Sequence, residues 1–112
     1  MPKDGRTTTA PQPHRSVKAL YVKVMKALSD PTRLDMIRLI GSATQYPCTS
    51  LEQELPVSKS TISYHVKILS EADLISVRRQ GKHFFYALHA DVLDYYTPSL
   101  IQRLTEDQSA SN

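Results

Sequence analysis

Apolar positions recur along this chain at spacings that switch from helical to extended and back. In "SVKALYVKVMKAL" (16–28), Val17, Leu20, Tyr21, Val24 and Leu28 fall on one helical face, with Lys18 and Lys26 off it. In "SDPTRLDMIRLIGS" (29–42), Asp30 suits an N-cap, Pro31 the first turn and Gly41 a stop, so Leu34, Ile37 and Ile40 should point inward. "TSLEQEL" (49–55) sets Thr49 and Glu52 at capping-box spacing, predicting a short helix that Pro56 ends. Ser58 is placed to cap the next helix. The period then changes. "ISVRR" (75–79) and "HFFYAL" (83–88) are β-rich and are separated by Gln80-Gly81-Lys82, where Gly81 can take positive φ. They predict a hairpin with a basic tip. "DVLDYYTPSLIQRL" (91–104) starts at Asp91 and gathers Val92 or Leu93, Tyr96, Leu100 and Leu104 on one side. Pro98 should break or kink it, with Thr97 capping a second piece. The order predicts a small, mostly helical α+β domain over residues 15–105. Residues 1–14 hold three prolines and three threonines and are expected to be a disordered tail, with 106–112 a flexible one.

One predicted helix spends its residues unusually. "VSKSTISYHVKIL" (57–69) contains three serines and a threonine, whose hydroxyls compete for nearby backbone groups. At 100° per residue, Ile62, Val66 and Leu69 fall within roughly 60° of one another, one apolar stripe. Lys59, Ser60, Ser63, Tyr64 and Lys67 occupy the far side, with Thr61 and His65 flanking the stripe. An outer face of short hydroxyls, two amines and a phenol suits the DNA major groove, which admits a helix whose small side chains allow close approach. Serine can exchange hydrogen bonds with base edges or phosphates, and lysine can reach guanine or phosphate. The preceding short helix and its Pro56-Val57 link complete a helix-turn-helix pattern, with the first residues of the second helix reading bases. Arg78, Arg79 and Lys82 on the hairpin would lie beside it as a wing against phosphates. The bland alternative is a merely solvated face. Against it stand the scarcity of glutamate on this face and the basic hairpin that follows at once.

Charge sharpens this picture. The chain of 112 residues carries a formal net charge of +3, unevenly spread. Residues 1–29 total +5 and residues 55–89 total +3, while 30–54 total −2 and 90–112 total −3. A basic middle and front suggest a surface facing a polyanion. No apolar run approaches the roughly 20 residues of a membrane span, and the N-terminus has no apolar block of a secretory signal. A lone cysteine, Cys48, excludes an intrachain disulfide and fits a reducing compartment, so a cytoplasmic protein is expected. No glycine-rich phosphate loop is present, and no cofactor is expected.

These motifs bring a family into view. "ALSDPTRLDMIRLI" (27–40) and "LPVSKSTISYHVKILSEADLISVRRQGKHFFYAL" (55–88) resemble the ArsR/SmtB family of bacterial winged-helix repressors, over 48 residues in the family's order. The resemblance implies a winged helix-turn-helix in which the first and last helices form a homodimer, each subunit offering a recognition helix to a palindromic double-stranded operator. It puts base-reading positions on Lys59, Ser60, Ser63 and Tyr64, and phosphate contacts on Lys67, Arg78, Arg79 and Lys82. The family's metal sites are another matter. Its paired cysteines would fall at Pro47 and Thr49, with Cys48 between them. Its last-helix ligands would fall at Ala90, Val92, Arg103 and Glu106. One thiolate and one carboxylate do not make the ligand set that a soft metal normally wants. A repressor without these sites, released by an unknown signal, is therefore expected.

Other residues carry two readings each. Cys48 is a small semi-buried side chain or, given a lowered pKa and a second thiol, a redox sensor. His65 borders the apolar stripe as a packed, hydrogen-bonded histidine rather than a base contact. His83 and His89 bracket a strand and read as wing or solvated residues before metal ligands. Tyr95, Tyr96, Leu100 and Leu104 form a core-and-dimer face or part of a ligand pocket. Two rival functions remain: a winged-helix module that binds another protein, and a small enzyme using Cys48 or a histidine. The enzyme is disfavoured because Ser63, His65 and Asp73 lack nucleophile–base–orienter geometry on a helix.

Overall fold

A computed structural model describes residues 16–110, with side chains to residue 108; the expected tail at 1–14 lies outside the described residues. The elements are α1 (Val17–Leu28), α2 (Pro31–Ile40), β1 (Tyr46–Pro47), α3 (Cys48–Glu54), α4 (Lys59–Glu71), β2 (Ile75–Gln80), β3 (His83–Leu88), α5 (Ala90–Tyr96) and α6 (Leu100–Ala110). Together they form the mostly helical α+β winged helix-turn-helix that the sequence predicts.

The helix starts follow local chemistry. Ser16, Asp30 and Ser58 cap α1, α2 and α4, their side-chain oxygens accepting from Ala19, Arg33 and Thr61 backbone N–H. At α3 the expected capping box does not form: the helix begins at Cys48, with Pro47 rather than Thr49 in the cap position and no side-chain cap. Glu52 instead accepts from the Cys48 thiol at 3.5 Å, so its carboxylate is spent elsewhere. α4 ends in a reciprocal pair of bonds, Asp73 N–H to Ser70 O and Leu74 N–H to Leu69 O. Asp73 there takes φ 61°, a left-handed position that aspartate tolerates better than most residues.

α2, α4 and the hairpin enclose the core. Met36, Ile37, Ile40, Leu51, Leu69 and Leu74 are completely enclosed, and the predicted stripe Ile62, Val66 and Leu69 is buried. Leu34, expected inward, is only half-buried, and Met36 takes the deeper place. Gly41 ends α2 as predicted, although its φ of −69° needs no glycine. A Cβ there would meet Leu88 Cδ2 at 3.0 Å, Ile37 O at 3.1 Å and Ile101 Cδ1 at 3.3 Å, so β3 and α6 pack close enough that a larger residue would push these neighbours back by a few tenths of an ångström.

The sheet is antiparallel in the order β1-β3-β2. β1 is absent from the sequence reading because a two-residue strand containing Pro47 has no alternation to detect. Gln80 pairs with His83, leaving Gly81-Lys82 as a two-residue turn with Gly81 at φ 63°. Pro98 splits the last helical segment in two. Thr97 does not cap the second piece; it closes α5, its hydroxyl donating to Leu93 O at 2.8 Å. α6 then runs to Ala110, so residues 106–110 continue a helix where the sequence suggested a flexible tail.

Candidate nucleic-acid interface

α4 presents its two faces as the residue spacing requires. The apolar stripe locks the helix to the core, and Lys59, Ser60, Ser63, Tyr64 and Lys67 are all exposed on the opposite side. Tyr64 is 61% exposed, a large ring held out toward solvent rather than packed. The Ser58 hydroxyl lies 3.1 Å from that of Ser60 and 3.0 Å from that of Thr61, a small hydroxyl cluster at the helix start. Lys59 Nζ sits 3.9 Å from Glu52 Oε1. With the lysine exposed and the contact at the edge of bonding range, the pair is weak and leaves the Lys59 ammonium available to a phosphate.

The wing divides its cations. Successive strand residues point to opposite sheet faces. Arg79 lies over the ring of its cross-strand neighbour Phe84 at 5.7 Å, on the face shared with Val77 and Tyr86. Val77, Phe84 and Tyr86 line a groove of about 370 Å³ with Lys59, Ile62, Ser63 and Val66 of the neighbouring region, so this face looks toward α4. Arg78 lies over Phe85 at 5.0 Å on the other face, donating to Gln45 Oε1 at 3.2 Å and Gln80 Oε1 at 3.0 Å. Lys82 is exposed at the tip. The structure thus brings Lys59, Ser60, Ser63, Tyr64 and Lys67 onto one surface with Arg79 beside it, and turns Arg78 away from it.

The other candidates resolve locally. His65 is buried, with Nδ1 3.0 Å from Arg33 Nη1, as a packed histidine should be. His83 and His89 stand at opposite ends of β3, about 15–20 Å apart at strand rise, so they share no site. His89 Nδ1 instead meets Asp73 at its backbone O (2.9 Å) and Oδ1 (3.2 Å). Burial pushes the Cys48 thiol above its ordinary value, a hydrogen bond with Tyr86 pulling the other way and Glu52 adding to the rise. That is the reverse of a reactive cysteine. Tyr95 and Tyr96 meet Tyr21 of α1, with the Tyr21–Tyr96 rings edge-to-face at 4.7 Å. Sequence reasoning missed Arg33 and Gln45. Nothing in their local spacing shows that one reaches His65 and the other Arg78.

Comparison with known proteins places this geometry. A helix-turn-helix domain model matches residues 28–78. The arsenical resistance operon repressor of Staphylococcus xylosus is 33% identical over 88 residues, covering 79% of this chain and 84% of that protein. The chain belongs to the ArsR family. It is therefore an ArsR-type DNA-binding transcriptional repressor and not an enzyme. Among solved structures, an ArsR-like transcriptional regulator from Rhodococcus sp. RHA1 superposes with a TM-score of 0.65 at 26% identity, covering 84% of this ArsR-family chain and 87% of its own. A homodimeric winged helix-turn-helix DNA-binding domain from Mycobacterium bovis shares the fold, with a TM-score of 0.68 at 20% identity over 86% of this chain and 87% of that one. No helix among the described residues is long and apolar enough to cross a membrane.

Proposed function

We propose that this ArsR-family chain is a cytoplasmic repressor that binds a palindromic operator as a homodimer, in a domain spanning about residues 15–105. Operator occupancy blocks transcription until a signal other than the family's metal sites releases it. The observation that carries the reading is the two-sided α4: its apolar stripe is buried, while Lys59, Ser60, Ser63 and Tyr64 stand exposed on one surface. In this reading those four read base edges, and Lys67, Arg79 and Lys82 neutralise phosphates of the same duplex. Arg78, on the opposite face of the wing, reaches phosphate only beyond the hairpin edge.

Dimerisation is supported by what α1 leaves uncovered. Val24, Ala27 and Leu28 face the protomer's own core, while Val17, Val22 and Met25 are 67%, 46% and 41% exposed. Tyr95 of α5 adds an aromatic ring, 68% exposed, to the same side through its contact with Tyr21. Large apolar side chains left exposed on one helix and its aromatic neighbour suit an interface. Two of the named relatives are arsenical resistance repressors, from Staphylococcus xylosus and Staphylococcus aureus. In the proposed reading this chain does not share that metalloid response, and its donor set supports the distinction. Cys48 is flanked by Pro47 and Thr49, and no group of three His, Cys, Asp or Glu side chains comes together among the described residues.

The test is selection of genomic DNA fragments by the purified protein, followed by gel retardation at physiological salt. A shared inverted repeat among the retained fragments is the expected result. Retardation of no palindromic fragment, with capture of a protein partner instead, overturns the reading.

A further inference from the structure

Arg33 joins three elements with one side chain. The last carbonyls of a helix have no intrahelical partner. At the end of α1, Lys26 O already accepts from the Ser29 backbone N–H at 3.2 Å and the Ser29 hydroxyl at 2.8 Å, and Arg33 serves the carbonyl that follows it. Arg33 Nε donates to Ala27 O at 2.6 Å, and Nη2 donates to Lys26 O at 3.2 Å. Its remaining nitrogen, Nη1, lies 3.0 Å from Nδ1 of His65, on the inner side of α4. The fork is held from behind, because the Arg33 backbone N–H donates to the capping carboxylate of Asp30 at 3.0 Å.

A guanidinium carries donors only, so Nδ1 of His65 has to supply a lone pair and the ring proton sits on Nε2. His65 is 7% exposed, so no bulk water substitutes for the missing bond if Arg33 withdraws. Two charged groups face the ring from the α1–α2 junction: Arg33 at Nδ1, and Asp30, whose Oδ2 is 4.0 Å from Nε2 and beyond hydrogen-bond length. From its own helix, Tyr64 meets the ring edge-on at 5.3 Å between centroids. Tyr64 is one of the proposed base readers.

We propose that Arg33 and His65 are positioning residues that fix the recognition helix to the carboxyl end of α1. Resting on the dimeric DNA-binding reading above, this makes the separation and tilt of the two α4 helices a property of the dimer helix rather than of α4 alone. Neither residue touches DNA. The planar three-way fork explains why arginine is required, since a lysine offers a single point charge and cannot span three acceptors set apart in this way.

The experiment has two arms. In the free protein, nitrogen-15 spectroscopy of the imidazoles should show His65 with Nδ1 unprotonated, and Arg33→Lys should speed amide hydrogen exchange in the turns of α4 around residue 65. In the DNA arm, on one fragment that the wild type retards, Arg33→Lys and His65→Gln should bind about 10-fold more weakly. His65→Asn, whose amide oxygen can take the place of Nδ1, should stay close to the wild type. All three should remain dimeric with wild-type helix content. A proton on Nδ1, unchanged exchange in Arg33→Lys, or equal affinity losses in all three variants that track their melting temperatures would overturn the assignment. If the wild type retards no fragment, the proposed function fails, while the tautomer and exchange measurements still decide the clamp.

Discussion

Ser63 and Tyr64 project from α4 with no role in the core, so their substitution separates recognition from folding. Ser63→Ala or Tyr64→Ala should cost about 1–3 kcal/mol on the selected operator and relax discrimination between related sites, measured by competitive retardation. Equal losses on unrelated DNA would assign both to the backbone. The wing arginines offer a sharper contrast. Arg79, on the α4 side, should act as one phosphate neutraliser, so Arg79→Ala flattens the slope of log affinity against log salt by about 0.9. Arg78 is held by Gln45 and Gln80 on the other face, and its alanine variant should leave that slope nearer the wild type. Reversed slopes for the two variants would mean that the opposite face of the hairpin meets the duplex. The outer face of α4 was legible in the sequence because helical periodicity alone sorts its residues. The split between Arg78 and Arg79 depends on strand register, which two adjacent basic residues do not reveal.

At the scale of the element, the start of α4 has to satisfy its own backbone and face DNA at once. The Ser58 hydroxyl accepts from Thr61 N–H at 3.2 Å. Ser58→Ala should therefore lower stability by about 1 kcal/mol in chemical denaturation. Ser58→Asp keeps a capping acceptor but adds a negative charge where the duplex approaches. It should hold stability near the wild type and weaken DNA binding, and parallel changes in both quantities would deny that the cap lies at the interface. Caps written as one residue and its neighbours, such as Asp30 and Ser58, were legible in advance. The Thr49–Glu52 box was not reliable, because Cys48, one turn back in the same helix, and Lys59 of α4 compete for the Glu52 carboxylate. Thr97 failed likewise: Pro98 ends α5, and the hydroxyl bonds back to Leu93 O.

For the whole molecule, two properties follow from what is buried and what is not. Tyr86 lies in the core between α3 and the sheet, and burial, with the Cys48 hydrogen bond next, pushes its phenol far above the ordinary 10.0. The unfolded chain ionises at that ordinary value while the folded chain resists, so stability is full below about pH 10 and falls as pH rises beyond it. Thermal melts of the wild type and Tyr86→Phe should diverge on the alkaline side, the phenylalanine variant losing less; parallel curves would remove Tyr86 as the cause. The second property is assembly. A monomer presents one α4, whereas a palindrome offers two half-sites about 34–36 Å apart that only a two-fold dimer can fill. Val22 and Met25 are exposed on α1, so a glutamate at either position should leave the protomer folded yet place a charge in the dimer contact. Val22→Glu and Met25→Glu should sediment as monomers and lose operator affinity toward the non-specific level, a drop of at least about a thousandfold. A folded monomer that still binds the palindrome at wild-type strength, or a variant that stays dimeric, would shift the contact away from α1 and uncouple α4 spacing from that helix.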